Sequence, residues 1–389
     1  MWLNLRNLSG PPLLILLCPP FVMLMWYTNT ELAGSLAALW NIMTQKGLVQ
    51  TIYDVWRPYL GSGTAWVIIG CFIALKLFNA FLPGKPFHGP LTPKGNIPIY
   101  KANGVLAFVT TITTFCFATF GLNLFSATIL YDNLGSILGA LNLFSLLFCV
   151  FLYVKGRFYP SSTDTSTSNN ILFDYYWGTE LYPQILGWHI KQFITCRFGM
   201  MSWGLFLISY CAKQAELSGL ANSMLISVSL QFLYIAKFFL WETGYLRSLD
   251  IMHDRAGFYI CWGCLVWVPC IYTSPSMYLV LHPIHLNFGW VTLILSLGAA
   301  SIIINYLADK QRIRVRESEG HCKIWGKKPL ILPAHYKTSE GNTKKTLLLA
   351  SGWWGLARHF HYIPELASAF FGLFPPFLPT SPLTFTFVS

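Results

Sequence analysis

The stretch 135–154, GSILGALNLFSLLFCVFLYV, is twenty residues long and carries no charge. A helix of about 20 apolar residues crosses the roughly 30 Å hydrocarbon core of a bilayer, where each backbone amide must be satisfied within the helix itself. Comparable runs lie at 11–27, 64–82, 105–126, 198–212, 222–241, 257–281 and 286–308, and another apolar stretch extends from 363 to the end. The run 198–212 is short and is expected to tilt or re-enter. Pro19-Pro20 interrupts the first run and no small-residue cleavage site follows, so it reads as a first span or half-span, not a removable signal. The pattern predicts an all-α, polytopic membrane protein with roughly eight to ten transmembrane helices.

Composition agrees. Of 389 residues, 54% are hydrophobic and 11% charged, against about 25% charged in soluble proteins. Disorder, collagen-like repeats and coiled coil are excluded, and a water-facing surface would need more charge. The net charge of +11 lies in loops between apolar runs, which points to membrane topology and not to nucleic acid. Cys18, Cys71, Cys116, Cys149, Cys211, Cys261, Cys264 and Cys270 all sit in apolar runs, so they read as reduced core residues. No repeat of fixed period is visible, which argues against a solenoid or an inverted-repeat transporter.

The loops set the sidedness. Residues 83–104 contain Lys85, Lys94 and Lys101 and no acid, and residues 309–345 contain ten basic and four acidic side chains. Six spans separate the two loops, so both face the same side, and the positive-inside rule makes it cytosolic.

Three stretches could carry chemistry. In 241–255, WETGYLRSLDIMHDR, the acids Glu242, Asp250 and Asp254 are spaced eight and four residues apart. On a continuous helix they would share one face. Carboxylates this close to hydrocarbon are costly and suggest function, although Arg247 and Arg255 could equally pair with them in a plain cytosolic loop. In 347–362, LLLASGWWGLARHFHY, glycines flank paired tryptophans, so a flat ligand could approach the backbone, Arg358 could meet an anion, and Trp354 and Tyr362 could stack on a ring. An interfacial aromatic belt would look similar. Arg312, Arg314 and Arg316 could mark topology or hold phosphate. No Gly-x-Gly-x-x-Gly or P-loop pattern occurs. The nine histidines form no di-iron boxes, and Cys261-Trp-Gly-Cys264 lacks a second pair, so no metal is expected.

Several segments together resemble the sterol reductase family of membrane enzymes: Leu82-Pro83-Gly84-Lys85 through Lys101-Ala102-Asn103-Gly104, Tyr176-Trp177-Gly178-Thr179-Glu180-Leu181-Tyr182-Pro183, Asp250 to Tyr259, Cys322 with Trp325-Gly326, and Ser351 to Tyr362. The run Asp254-Arg255-Ala256-Gly257-Phe258-Tyr259 is closer to the branch acting on 5,7-diene sterols than to the 14-reductases and the lamin B receptor. The resemblance implies a helical enzyme of the endoplasmic reticulum membrane that reduces the C7–C8 double bond of a 7-dehydrocholesterol-like sterol with NADPH. A ring alkene needs a proton at one carbon and a hydride at the other, and a buried carboxyl or tyrosine can supply the proton. Glu242, Asp250 and Asp254 are the candidate acids, with Tyr245 and Tyr259 as competitors. By family pattern, Arg312 and Arg316 fall where cofactor phosphates are held, and Leu349, Trp354, His361 and Tyr362 on the other NADPH contacts. Some members carry Asn at the His361 position.

The resemblance predicts a membrane domain over 1–371, with sterol and NADPH sites towards its C-terminal half. Residues 372–389, GLFPPFLPTSPLTFTFVS, carry four prolines and no charge. They lack the family's terminal motifs, which predicts weak NADPH binding and slow turnover. The alternatives are a catalytically impaired sterol-binding membrane protein, a sterol 14-reductase or a transporter.

Overall fold

The computed structural model describes residues 2–92, 94–168, 170–337 and 343–373, so nearly all of the tail 372–389 lies outside the described residues. Seven helices are long and apolar enough to cross a membrane: Ser9–Thr30, Gly63–Phe81, Gly104–Gly121, Leu134–Phe158, Asn222–Leu240, Phe258–Leu281 and Phe288–Glu317. The all-α, multi-pass expectation holds. Local signals set several helix starts: Ser62 Oγ accepts from Ala65 N at 3.1 Å and Asn287 Oδ1 from Trp290 N at 3.0 Å.

Two predicted spans differ in extent. The short run 198–212 is the apolar middle of a longer helix over 190–218, in which Phe193–Gly199 is a π stretch. It packs on a second π stretch, Gly263–Tyr272, with the Gly199 backbone against the Cys264 carbonyl. Pro269 lies in that second stretch and donates no amide hydrogen, a recognised cause of local irregularity. The run 286–308 is the start of Phe288–Glu317, whose 30 residues span about 45 Å at 1.5 Å per residue. That exceeds the hydrocarbon core by several turns. Lys310, Arg312, Arg314 and Arg316 therefore ride on a helix, not in a loop as their charge suggested. Beyond it, Ile331–Lys337 and Thr343–Leu349 pair as an antiparallel hairpin.

Loop contacts show which connections share a face. On one face, Asn96 donates to Asp164 at 2.8 Å, Arg255 to the Ser166 carbonyl at 2.8 Å, and Arg247 pairs with Glu317 at 2.7 Å. On the other, Lys213 pairs with Asp132 at 2.9 Å and Asn222 donates to the Leu286 carbonyl at 2.7 Å. The helix over 190–218 joins the two faces. It therefore crosses despite carrying Lys191, Arg197 and Lys213, and among the described residues eight helices traverse the fold.

The first face is held by buried polar groups. Arg197 Nη1 meets Glu242 Oε1 at 2.5 Å with both side chains about 95% withdrawn from solvent. Glu242 Oε2 accepts from Gly104 N at 2.8 Å, at the start of a crossing helix. Arg197 Nη2 donates to Asn103 Oδ1 at 2.8 Å, and Asn103 Nδ2 to the Asn79 carbonyl at 3.1 Å. Breaking one partner of a buried pair strands the other charge, which costs about 3–5 kcal/mol. Glu242→Gln is expected to lower stability by that amount, read as the unfolding midpoint of the detergent-solubilised protein. An unchanged midpoint would mean that water reaches Arg197.

Candidate functional site

The cationic end of Phe288–Glu317 meets the segment 352–362. The Arg312 guanidinium lies over the Trp354 ring at 4.7 Å, and its Nη2 donates to Asp309 at 3.1 Å. Trp354 Nε1 donates to the Ala308 carbonyl at 2.8 Å. The Trp354 ring lies 5.1 Å from His361, and His361 lies 4.2 Å from Tyr362. Gly352, at φ 63°, packs against Gln311, whose Oε1 accepts from Trp353 N at 3.1 Å. A side chain at Gly352 would collide there, which is why the paired tryptophans need this glycine. Arg316 lies one turn beyond Arg312 with its side chain exposed. The fold thus brings together Arg312, Trp354, His361 and Tyr362, with Arg316 one turn further along the helix from Arg312. Leu349 ends the hairpin strand opposite Ile331, two residues before Ser351 in the chain.

Two buried polar atoms of the cluster, Arg312 Nε and His361 Nδ1, have no hydrogen-bond partner among the described residues. Unsatisfied buried donors or acceptors are rare and point to a ligand or water.

A cavity of about 380 Å³ opens beside the cluster, lined by Trp203, Tyr234, Trp267, Tyr272 and Glu365 among others. Its size and its few polar groups on aromatic walls suit a small apolar ligand. Tyr234 Oη donates to Glu365 Oε1 at 2.8 Å. Gln231 accepts from Trp203 Nε1 at 2.7 Å and donates to Ser276 Oγ at 2.7 Å. Asn305 lies between the cluster and Tyr234: its Nδ2 donates to the His361 carbonyl at 2.9 Å, and its Oδ1 accepts at 2.5 Å from Lys237 Nζ, which lies 5.2 Å over the Tyr234 ring. Sequence reasoning missed Tyr234, Lys237, Asn305 and Glu365. The signal was present, because Lys237, Asn305 and Glu365 are polar groups inside otherwise apolar runs.

The three acids do not share a helical face. Glu242 opens a four-residue helix, Glu242–Tyr245, and Asp250 lies in a separate one, Leu249–Met252, with extended backbone at Ser248 between them. Glu242 is committed to Arg197. Asp250 keeps an exposed edge, yet burial and then the Asp254 charge push its carboxyl above the usual range, against the pull of Lys191. Lys191 Nζ caps this region, donating to the carbonyls of Asp250, Ile251 and Asp254 at 3.0, 2.7 and 2.6 Å. Asp254 Oδ1 lies 3.0 Å from His253 Nδ1. Tyr245 packs on Phe238 at 4.9 Å and Tyr259 stacks on Trp177 at 5.9 Å.

Two of the distinctive sequence stretches meet here. Ala256 N donates to the Glu180 carbonyl at 3.1 Å, and Gly178, at φ 95°, lies against the Ala256–Gly257 backbone. The ergosterol biosynthesis ERG4/ERG24 family matches residues 13–388. The chain belongs to this family of sterol reductases. Among ERG4/ERG24 relatives, the 7-dehydrocholesterol reductase of Arabidopsis thaliana is 48% identical over 93% of this chain and 84% of its own length. That of Xenopus laevis is 36% identical over 78% of this chain and 66% of its own length. The Delta(14)-sterol reductase of Methylotuvimicrobium alcaliphilum is 33% identical over 92% of this chain and 80% of its own length.

Burial is the main cause that lowers the pKa of His361, with the Arg312 charge adding to it and Asp309 opposing. The unfolded chain therefore takes up this proton first as pH falls. Its contribution is fully present above about pH 6.5 and is lost as pH drops through the lowered folded value. His361→Asn is expected to flatten the acid side of the stability curve, measured as unfolding midpoints between about pH 7 and pH 5.5. Parallel curves for the two proteins would overturn this.

Proposed function

We propose that the chain is an NADPH-dependent reductase of the endoplasmic reticulum membrane that saturates the C7–C8 double bond of a 7-dehydrocholesterol-like sterol. The observation that carries this reading is the adjacency of an aromatic cavity holding the Tyr234–Glu365 pair to a cationic aromatic cluster, with Asn305 bonded to His361 of the cluster and to Lys237, whose ammonium lies over the Tyr234 ring. The relatives named 7-dehydrocholesterol reductase support the choice of double bond. A sterol 14-reductase is the second reading, favoured by the bacterial relative at 33% identity.

The cluster suits a dinucleotide. Arg312 and Arg316 would meet phosphates, for which guanidinium groups have matching donor geometry. The unpartnered Arg312 Nε and His361 Nδ1 are available for further bonds, and Trp354 and Tyr362 offer flat faces. Leu349 would add apolar contact. Bound there, NADPH would supply hydride. The chain's own part is to exclude water around the sterol and to hold a proton at the cavity wall. Tyr234 and Glu365 do this as a pair, with the proton on the phenol oxygen or on the carboxyl, and with Glu365 able to recharge Tyr234. Asp250, with Asp254 beside it, is the competing donor because its carboxyl is held above the ordinary range. Glu242 serves as a structural anchor.

Cells expressing the chain and fed 7-dehydrocholesterol are expected to accumulate cholesterol, read by gas chromatography and mass spectrometry. Conversion of an 8,14-diene sterol with none of the 5,7-diene would select the second reading. Tyr234→Phe and Glu365→Gln should each slow turnover by about 10²–10⁴-fold, the usual scale of general acid catalysis. Asp250→Asn should stay within about threefold, and the opposite ranking would move the acid to Asp250. Arg312→Ala should raise KM for NADPH roughly 10- to 100-fold with kcat little changed, as loss of one or two charged hydrogen bonds implies.

A further inference from the structure

A second polar cavity, of about 260 Å³, lies beside the Arg197–Glu242 pair, lined by Phe81, Lys101, Asn103, Trp188, Gln192 and Arg197 among others. No carboxylate lines it among the described residues. Lys101 uses one of its three donors on the Ala80 carbonyl at 2.9 Å. Arg197, about 95% buried, makes three protein hydrogen bonds among the described residues and has five donors. The cavity therefore has spare N–H groups and no competing acceptor charge. Glu242 pairs with Arg197 and is not among the residues that line the cavity.

The rim indicates what reaches it. Gln184–Ile185 and Trp188–His189 form a hairpin whose tip is Leu186-Gly187, both at positive φ. Asn or Asp is the usual residue at the first position of such a turn. Here it is leucine, 94% exposed and at φ 51°. Trp188 lies edge-on to Phe81, the last residue of the helix Gly63–Phe81, at 5.9 Å. The tip is thus level with the end of a membrane span, where tryptophan and apolar side chains partition into the interface. The loop 82–104 supplies Lys85, Lys94 and Lys101 without an acid, as the anionic cytosolic leaflet favours.

We propose that this cavity binds the headgroup of an anionic phospholipid, with Lys101 and Arg197 taking the phosphate and the Leu186–Trp188 tip lying against the top of the acyl chains. The test uses the full chain in phosphatidylcholine vesicles containing phosphatidate. The protein is re-extracted in detergent and the lipid retained per protein is measured by mass spectrometry. Phosphatidate is expected to be enriched over phosphatidylcholine. Lys101→Met should cut that enrichment roughly fivefold or more, and Lys94→Met, which removes an equal charge outside the cavity, should not. Leu186→Asn, which suits the turn better and so keeps the hairpin, should also weaken retention. Equal loss in the two lysine variants would overturn the proposal in favour of diffuse attraction, as would retention unaffected by Lys101→Met and Leu186→Asn. Displacement of phosphatidate by inorganic phosphate at equal concentration would assign the site to free phosphate and overturn the lipid.

Discussion

The ion pair between Arg197 and Glu242 fixes the relation of four chain segments at the membrane face. Neither charge could be tolerated alone in so dry a place. Glu242 spreads its charge over Arg197, Gln192 and the first amide of the helix that begins at Gly104. Arg197 in turn reaches Asn103, which is tied to Asn79. The ends of three crossing helices and the turn after a fourth are thereby brought to one point. Lys76 extends the network inwards, wholly buried, with its ammonium bonded to Thr111 and 3.4 Å from the Met201 sulfur. In the helix over 190–218 the cations Lys191, Arg197 and Lys213 likewise have protein partners, which lets it join the two faces although it is not an apolar run. Its polar groups face protein, where partners exist, and not lipid.

The apolar runs were legible because hydrocarbon enforces length and composition residue by residue. That the loops 83–104 and 309–345 share a face followed from counting the spans between them. The geometry of 241–255 was not legible. Spacing alone permits one helix with all acids on a face, yet the chain breaks at Ser248 and forms two short helices. A broken helix strands carbonyls, and here Lys191 satisfies three of them from about sixty residues away in sequence. No local pattern announces such a donor. The same holds for Glu242, whose partner Arg197 lies in a different helix.

The segment 352–362 stood out in the sequence as glycines flanking paired tryptophans, and in the fold Gly352 packs on Gln311 while Trp354 lies under the Arg312 guanidinium. Its partner surface was visible only as a basic stretch. What spacing could not reveal is that Arg312 and Arg316 stand on a helical extension beyond the hydrocarbon, which gives them fixed positions in place of the freedom of a loop. The tyrosine and glutamate of the cavity were missed for a different reason. Tyr234 looks like one more aromatic in an apolar run, and its meaning arises only when the helix Tyr362–Leu373 places Glu365 against it.

One helical stripe connects the two halves of the site. Asn305, Asp309, Arg312 and Arg316 follow one another at spacings of four, three and four residues, so they lie along a single face of Phe288–Glu317. Over those residues the helix rises about 16 Å. At the lower end Asn305 bonds Lys237, one turn from Tyr234 on the neighbouring helix. At the upper end Arg312 covers Trp354, and Arg316 is exposed. A rigid helix is the simplest way to hold a charged, water-accessible pocket at a constant distance from an apolar one, because its backbone bonds are satisfied internally at every depth. A change at Asn305 would therefore act on both ends at once: it would release Lys237 beneath the cavity and free the carbonyl of His361 in the cluster.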